Sequence, residues 1–203
     1  MIWGRWQLLV LGLPAFLLGI ILHEVAHGWV AYRLGDPTAK MMGRLTLNPR
    51  AHFDPIGALM FLFIGFGWAK PVPINPSNFR DRRAGMAISA IAGPLANLAQ
   101  LIAWSALFHA YRLLALGPSI ILDVLVYGVW INAILMIFNL IPIPPLDGSR
   151  ILAWMLPDRE AYLLDRLEPF GFLILLIAFY VLHLFYLIAP AVEAVVRVFL
   201  TPL

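Results

Sequence analysis

The chain has 203 residues, 62% hydrophobic and 12% charged, with a mean hydropathy of +0.88 and a formal net charge of +3. A soluble domain is nearer half apolar and a quarter charged, so this composition excludes an ordinary globular protein and indicates a polytopic membrane protein. Its basic residues sit in short clusters between apolar runs, as membrane loops carry them, and not as a nucleic-acid footprint. The absence of cysteine removes disulfides, thiolate ligands and a cysteine nucleophile together.

The first apolar segment, Gln7–Leu34, follows a short start that looks like a signal peptide but has no small-residue cleavage site after it. It therefore reads as a retained span. Within it lies His23-Glu24-Val25-Ala26-His27. In a helix, residues four apart share a face, so the two imidazoles can hold one metal ion. Glu24, beside the first ligand, is then placed to take a proton from water at the metal. Ionisable groups at membrane depth cost about 2.5–3.5 kcal/mol or more each, which marks the motif as functional.

Past this span, Gly43-Arg-Leu-Thr-Leu-Asn-Pro49 alternates briefly and ends at proline. Pro71-Val-Pro-Ile-Asn-Pro76 reads as an extended edge segment, because proline cannot donate to a ladder. Between them, Ile56–Trp68 is apolar but too short to cross a bilayer and is expected to be re-entrant. Met86–Leu107, Ile120–Ile141 and Phe170–Ala189 complete four candidate spans, and Ala191–Leu200 reads as a surface-lying helix or a frayed span end. With no repeats and no room for a soluble domain, residues 1–203 form a single integral-membrane domain, with a core at about 7–156 and a C-terminal span and tail at about 169–203. The fold expected is all-α, with four transmembrane helices, a re-entrant segment and small β-like extended segments near the site.

Charge bias supports the re-entrant reading. If Ile56–Trp68 does not cross, one side of the membrane holds eleven of the 14 basic residues and the other only Arg5, Arg112 and Arg197. If it crosses, the bias vanishes. By the positive-inside rule the chain then has both termini outside.

Catalytic zinc keeps three protein ligands and an open position. The third ligand must come from His52, Asp54, Asp123 or Asp147. Asp147 is best placed: it follows the third span in Asn139-Leu-Ile-Pro-Ile-Pro-Pro-Leu-Asp-Gly148, and that span runs in the same direction as the first. Asp147 therefore emerges on the side where His23 and His27 lie. His52 reads as a loop histidine satisfied by Asp54 or water. Asn97 and Asn132 read as packing residues between spans, and Asn139 as a helix-capping alternative to a catalytic role. Trp3, Trp6, Trp68, Tyr111 and Tyr186 suit interfacial belts.

These motifs resemble the site-2 protease family, peptidase family M50, in its small bacterial branch. The resemblance rests on His23-Glu24-x-x-His27 and on Asn139-x-x-Pro142-x-Pro144-x-x-Asp147-Gly148. Gly43-Arg-Leu-Thr-Leu-Asn-Pro49, Asp54-Pro-Ile-Gly57 and Ala92-Gly-Pro-Leu-Ala-Asn97 add to it. It covers roughly Leu18–Leu152. It implies one Zn2+ held by His23, His27 and Asp147, Glu24 as general base, and Asn139 as a hydrogen-bonding partner of the substrate backbone. It also implies a transmembrane protein substrate and a place in a bacterial cytoplasmic membrane, with the site near the cytoplasmic face. Extended segments near Thr46 and Ile74 would hold an unwound substrate by strand addition. The settings of serine and aspartyl intramembrane proteases (Gly-x-Ser-Gly, Gly-x-Gly-Asp) are absent. The alternative from another class is a metal transporter or metal-stabilised scaffold. It has to explain why the polar groups cluster at one end and what Glu24 does.

Overall fold

The computed structural model describes residues 2–64, 67–114, 116–117 and 119–201, with side chains for these except 2–9, 58 and 61–64. Trp3, Trp6 and Arg5 thus fall outside the described side chains. Three helices are long and apolar enough to cross a membrane. They are α1 (Ile2–Arg33), and, numbering past three short loop helices, α5 (Arg82–Leu113) and α6 (Ile120–Asn139). The short helices are α2 (Thr38–Met41), α3 (Pro49–His52) and α4 (Pro55–Ile64). After α6 come α7 (Asp147–Met155), α8 (Asp158–Leu167), α9 (Gly171–Tyr180) and α10 (Leu184–Leu200).

Helix α5 lies between α1 and α6 and packs on both. Small residues let the backbones approach, as membrane helices require where hydrophobic burial gives no net drive. Ala87, Ala90, Ala92 and Gly93 are buried on α5, and a Cβ on Gly28 of α1 would come within 3 Å of Leu45 and Val72. The main buried cluster is Leu101, Val129, Ala133, Val192 and Val196, drawn from α5, α6 and α10.

The fourth expected span, Phe170–Ala189, is not one straight helix. The chain bends by 79° between α9 and α10, at His183, which sits in the left-handed region with φ 51°. The run is apolar but for His183, and a mean over it stays high enough for a span, so hydropathy does not show the break. Its ends still lie apart: Gly171 abuts Pro145, close to Asp147 in the chain, whereas the Phe199 carbonyl accepts from Ser105 Oγ at 2.6 Å near the far end of α5. The tail Ala191–Leu200, expected on the surface or frayed, is the body of α10, and Val192 and Val196 are buried in the core.

Between α1 and α5 the backbone is tied by isolated backbone bonds and by side chains, not by strand pairing. Lys70 N–H donates to the His52 carbonyl at 2.9 Å, so the chain that leaves into α4 returns to the point of departure. At about 1.5 Å per residue, the ten residues of α4 reach only about 15 Å, half a bilayer core. The β-like segments do not form: no strand occurs among the described residues. Pro71, Pro73 and Pro76 lack N–H groups, and two of the donors that remain go to carboxylates. Val72 N–H donates to Glu24 and Asn75 N–H to Asp36, each at 2.7 Å. On the same side of the molecule Arg83 of α5 donates to Asp158 and to the carbonyls of Ala153 and Leu156, fastening the end of α7.

Asp36 is the anchor of this layer. It is fully buried and accepts from Thr38 N–H, Thr38 Oγ1, Asn75 N–H and Asn78 Nδ2. Burial alone would raise its pKa, but the hydrogen bonds from Thr38, Asn78 and Asn75 outweigh it and hold the carboxyl below its ordinary value. Because the folded pKa is depressed, the stabilisation is present above the unfolded value near 3.9 and is lost as pH falls through the folded one. Replacing Asp36 by Asn turns a donor toward a donor and should destabilise by about 1–3 kcal/mol at pH 7. The gap between the two proteins should close below about pH 4. Thermal unfolding in detergent at several pH values measures both.

Candidate metal centre

Helix α1 places His23 and His27 one turn apart on the face that meets α5. Both are buried, and their rings meet edge-on with centroids 4.5 Å apart. Gly93 of α5 makes room for them, since a Cβ there would come within 3 Å of both imidazoles. Gly93 lies eleven residues along α5 from Arg82, roughly 16 Å, and almost twice as far from Leu113. The two histidines therefore sit alongside the apolar stretch of α5, nearer its Arg82 end.

Asp147, the first residue of α7, reaches the same point from the other side. Its Oδ2 lies 3.2 Å from His23 Nε2 and 3.3 Å from His27 Nε2, and the two Nε2 atoms are 2.9 Å apart. The turn that delivers it is made after α6, where Leu146 N–H donates to the Ile143 carbonyl at 2.9 Å and Ser149 Oγ to the Leu146 carbonyl at 2.7 Å. Gly148 is pressed on the carbonyls of Leu140 and Ile141, so closely that a Cβ would overlap them. The glycine beside Asp147 is thus a condition of the turn.

The hydrogen bonds decide what these three atoms can hold. His27 Nδ1 lies 2.7 Å from the Ser89 carbonyl, which only accepts, so Nδ1 carries the proton. His23 Nδ1 lies 2.7 Å from Asn97 Oδ1 and carries a proton for the same reason. Each neutral ring then turns an Nε2 lone pair inward. Asp147 Oδ2 is buried and has no hydrogen-bond partner. Three lone-pair atoms converge with no donor between them, an arrangement that a cation relieves. Two imidazole nitrogens and one carboxylate oxygen are a donor set that suits zinc.

The other expected residues are distributed unequally. Glu24 is half-buried, and its Oε2 accepts from Val72 N–H. Asn139 ends α6, and its Nδ2 donates to the Leu135 carbonyl at 2.9 Å, a bond within its own helix. His52 Nε2 pairs with the Thr46 carbonyl at 2.8 Å and not with Asp54, which instead accepts from the N–H groups of Ile56 and Gly57 at the start of α4. Asp123 is in the first turn of α6, at the opposite end from Asn139. Of the four third-ligand candidates, only Asp147 meets the histidines among the described residues. Asn97, Ser89 and Gly93, which hold or admit the imidazoles, carried no sign of this role in their residue types.

A cavity of about 1350 Å³ opens from this point. His23, Glu24, His27, Asn139 and Asp147 line one end, beside Val72 and Ile74. Its remaining walls are apolar, from α1 (Leu13, Phe16), α6 (Ile134, Phe138) and the α9–α10 pair (Phe179, Phe185). Thr46 is not among the lining residues.

The pattern described as peptidase family M50 matches residues 112–182, which contain Asn139 and Asp147. The protein named "Putative zinc metalloprotease YwhC" of Bacillus subtilis is 41% identical over 171 residues, 80% of this chain and 77% of its own length. "Putative zinc metalloprotease Rip2" of Mycobacterium tuberculosis is 31% identical over 178 residues, 84% of this chain and 66% of that protein. "Putative zinc metalloprotease MJ0611" of Methanocaldococcus jannaschii is 29% identical over 149 residues, 71% of this chain and 70% of that protein. No solved structure matches the chain. Identity at this level, over most of both chains, joins the family pattern across the Asp147 turn: the chain belongs to peptidase family M50, the site-2 protease family.

Proposed function

We propose that this protein is an intramembrane zinc metalloendopeptidase that hydrolyses peptide bonds of membrane-embedded protein substrates. The observation that carries the reading is the meeting of His23 Nε2, His27 Nε2 and Asp147 Oδ2 at the end of a large apolar cavity. One Zn2+ held there supplies a Lewis acid that acidifies water and polarises a carbonyl. Glu24 is the general base: it takes the proton from the attacking water and passes it to the leaving amine. The Val72 N–H holds its carboxylate in the cavity wall.

A transmembrane substrate hides its carbonyls in its own helix, so it must unwind before attack. The apolar cavity suits the intact part of such a helix, and the Val72–Ile74 segment suits the unwound part. Asn139, at the same end, donates to or accepts from the unwound backbone. The Thr46 carbonyl pairs with His52, and the segment around it is a second candidate for holding the unwound peptide. Residues 1–203 act as a single membrane domain with four crossings, the last made in two bent pieces, in a bacterial cytoplasmic membrane. The distribution of basic residues and the return of the chain at His52–Lys70 support a site near the cytoplasmic face.

Replacing Glu24 by Gln should lower cleavage at least about 100-fold, while one zinc per chain remains by elemental analysis. Replacing Asp147 by Ala should abolish both. Quantitative comparison of membrane-protein fragments from cells carrying wild-type or Glu24→Gln protein reads the first effect. Undiminished cleavage by Glu24→Gln would favour the transporter or scaffold reading.

Orientation has its own test. Ser77 is exposed on the loop between α4 and α5, and the chain has no other cysteine to confuse labelling. A Ser77→Cys protein in intact cells should react only with a membrane-permeant maleimide. Labelling by an impermeant reagent from outside would reverse the topology.

A further inference from the structure

The two histidines obtain their protonation pattern by different means. His27 Nδ1 is fixed by a backbone carbonyl, Ser89 O, which cannot reverse its polarity. His23 Nδ1 is fixed by a side-chain amide, Asn97, which has a donor end and an acceptor end and is able to turn either way. Something must choose its direction.

The choice can be followed outward through fully buried groups. Asn132 Nδ2 donates to the Gly128 carbonyl one turn back on α6, at 2.9 Å. That bond turns Asn132 Oδ1 toward α5, where it accepts from Asn97 Nδ2 at 3.1 Å. The same Nδ2 donates its second proton to the Gly19 carbonyl of α1, at 3.1 Å. Both donors of Asn97 are then used, and only Oδ1 is left to face His23. Turning either amide over would set N–H against N–H or oxygen against oxygen, and with both residues wholly inaccessible no solvent compensates. Gly19 admits the arrangement, since its missing side chain leaves the space that Asn132 and Leu135 occupy.

We infer that Asn132 and Asn97 form a polarity relay, anchored on the Gly128 carbonyl, that makes His23 present Nε2 and not Nδ1 to the metal. Asn132 forms no hydrogen bond to His23, His27 or Asp147, so it is a positioning residue that acts through Asn97. The inference rests on the proposed zinc site, and its test separates the two.

The experiment measures zinc affinity by chelator competition on the full-length protein in nanodiscs, with thermal unfolding of the zinc-free forms recorded in parallel. Asn132→Leu removes one of the two acceptors that fix the Asn97 amide, leaving the Gly19 carbonyl alone to hold it, and should weaken zinc binding about 10-fold, the lower end of the usual effect of losing a group that orients a metal-bound histidine. Asn97→Asp puts an acceptor-only group against His23 and makes the relay unnecessary. The double variant Asn97→Asp/Asn132→Leu should therefore regain wild-type zinc affinity within a few-fold while remaining as thermally unstable as Asn132→Leu. A purely structural role predicts the reverse, with affinity following stability. The inference is overturned if Asn132→Leu binds zinc as wild type does, or if the double variant is as weak as the single one. Should Asn132→Leu not fold, Asn97→Asp against Asn97→Leu decides the matter: equal affinities overturn the relay, and retention by Asp alone supports it. If the wild-type protein itself binds no zinc that depends on Asp147, the metal-site reading fails first.

Discussion

Three buried lone-pair atoms brought together from two elements are the constraint around which the chain is arranged. His23 Nε2, His27 Nε2 and Asp147 Oδ2 lie about 3 Å apart with no donor among them, and two of the three come from a helix that apolar residues otherwise fill. In an apolar medium such a cluster is costly unless a cation completes it or protons neutralise it. Each Nδ1 is committed to an acceptor, so that a single ring proton sits on the outer side. The inner side is then left with metal-binding capacity. The helices α1, α5 and α6 are held in the relative positions that this commitment needs.

Close approach is what makes the arrangement buildable. Gly93 lets α5 touch the imidazoles, Gly148 lets the chain after α6 fold onto the carbonyls of Leu140 and Ile141, and Gly28 lets Leu45 and Val72 lie on α1 beside the site. Each removes a side chain where another element must arrive. Without the first the histidines would be displaced, and without the second Asp147 would begin its helix elsewhere. The third brings in Val72, whose N–H meets Glu24, so packing of the loop layer and orientation of the acidic side chain are one event. Asp36 fixes the other end of that layer by accepting from Asn75 and Asn78.

Much of this was legible in residue pattern. The four-residue spacing of His23 and His27 puts them on one face whatever else the chain does, and parity of the crossings is enough to bring Asp147 to the same end as the histidines. The shortness of Ile56–Trp68 and its flanking prolines point to a segment that returns, as the Lys70–His52 bond requires. What escaped the sequence depends on direction and not on composition. Hydropathy sums over Phe170–Ala189 without sensing that His183 adopts a left-handed backbone, so a bent pair reads as a span. Alternation around Val72 and Ile74 reads as a strand, because a pattern does not say that the N–H groups of Val72 and Asn75 are claimed by Glu24 and Asp36. Asn97 and Asn132 look like the amides that commonly join membrane helices, which they also do. That Asn97 faces a histidine with its oxygen is settled by partners 35 and 78 residues away.

The bond between Val72 and Glu24 has a consequence for how substrate and base are coupled under the proposed reading. A backbone N–H that serves a carboxylate is not available to a substrate strand, so an unwound peptide lying along Val72–Ile74 either pairs with what Glu24 leaves free or takes the Val72 donor from it. In the first case the base keeps its orienting partner throughout, and the segment acts as a rigid wall. In the second, Glu24 gives up its orienting partner as the scissile bond arrives. The prolines on either side favour the first. Pro71 and Pro73 fix φ near −65° and bring no N–H groups, so the segment has little freedom to turn the Val72 N–H from Glu24 toward another strand. The same pair of residues that prevents a β-ladder from forming thereby keeps the acidic side chain aimed into the cavity.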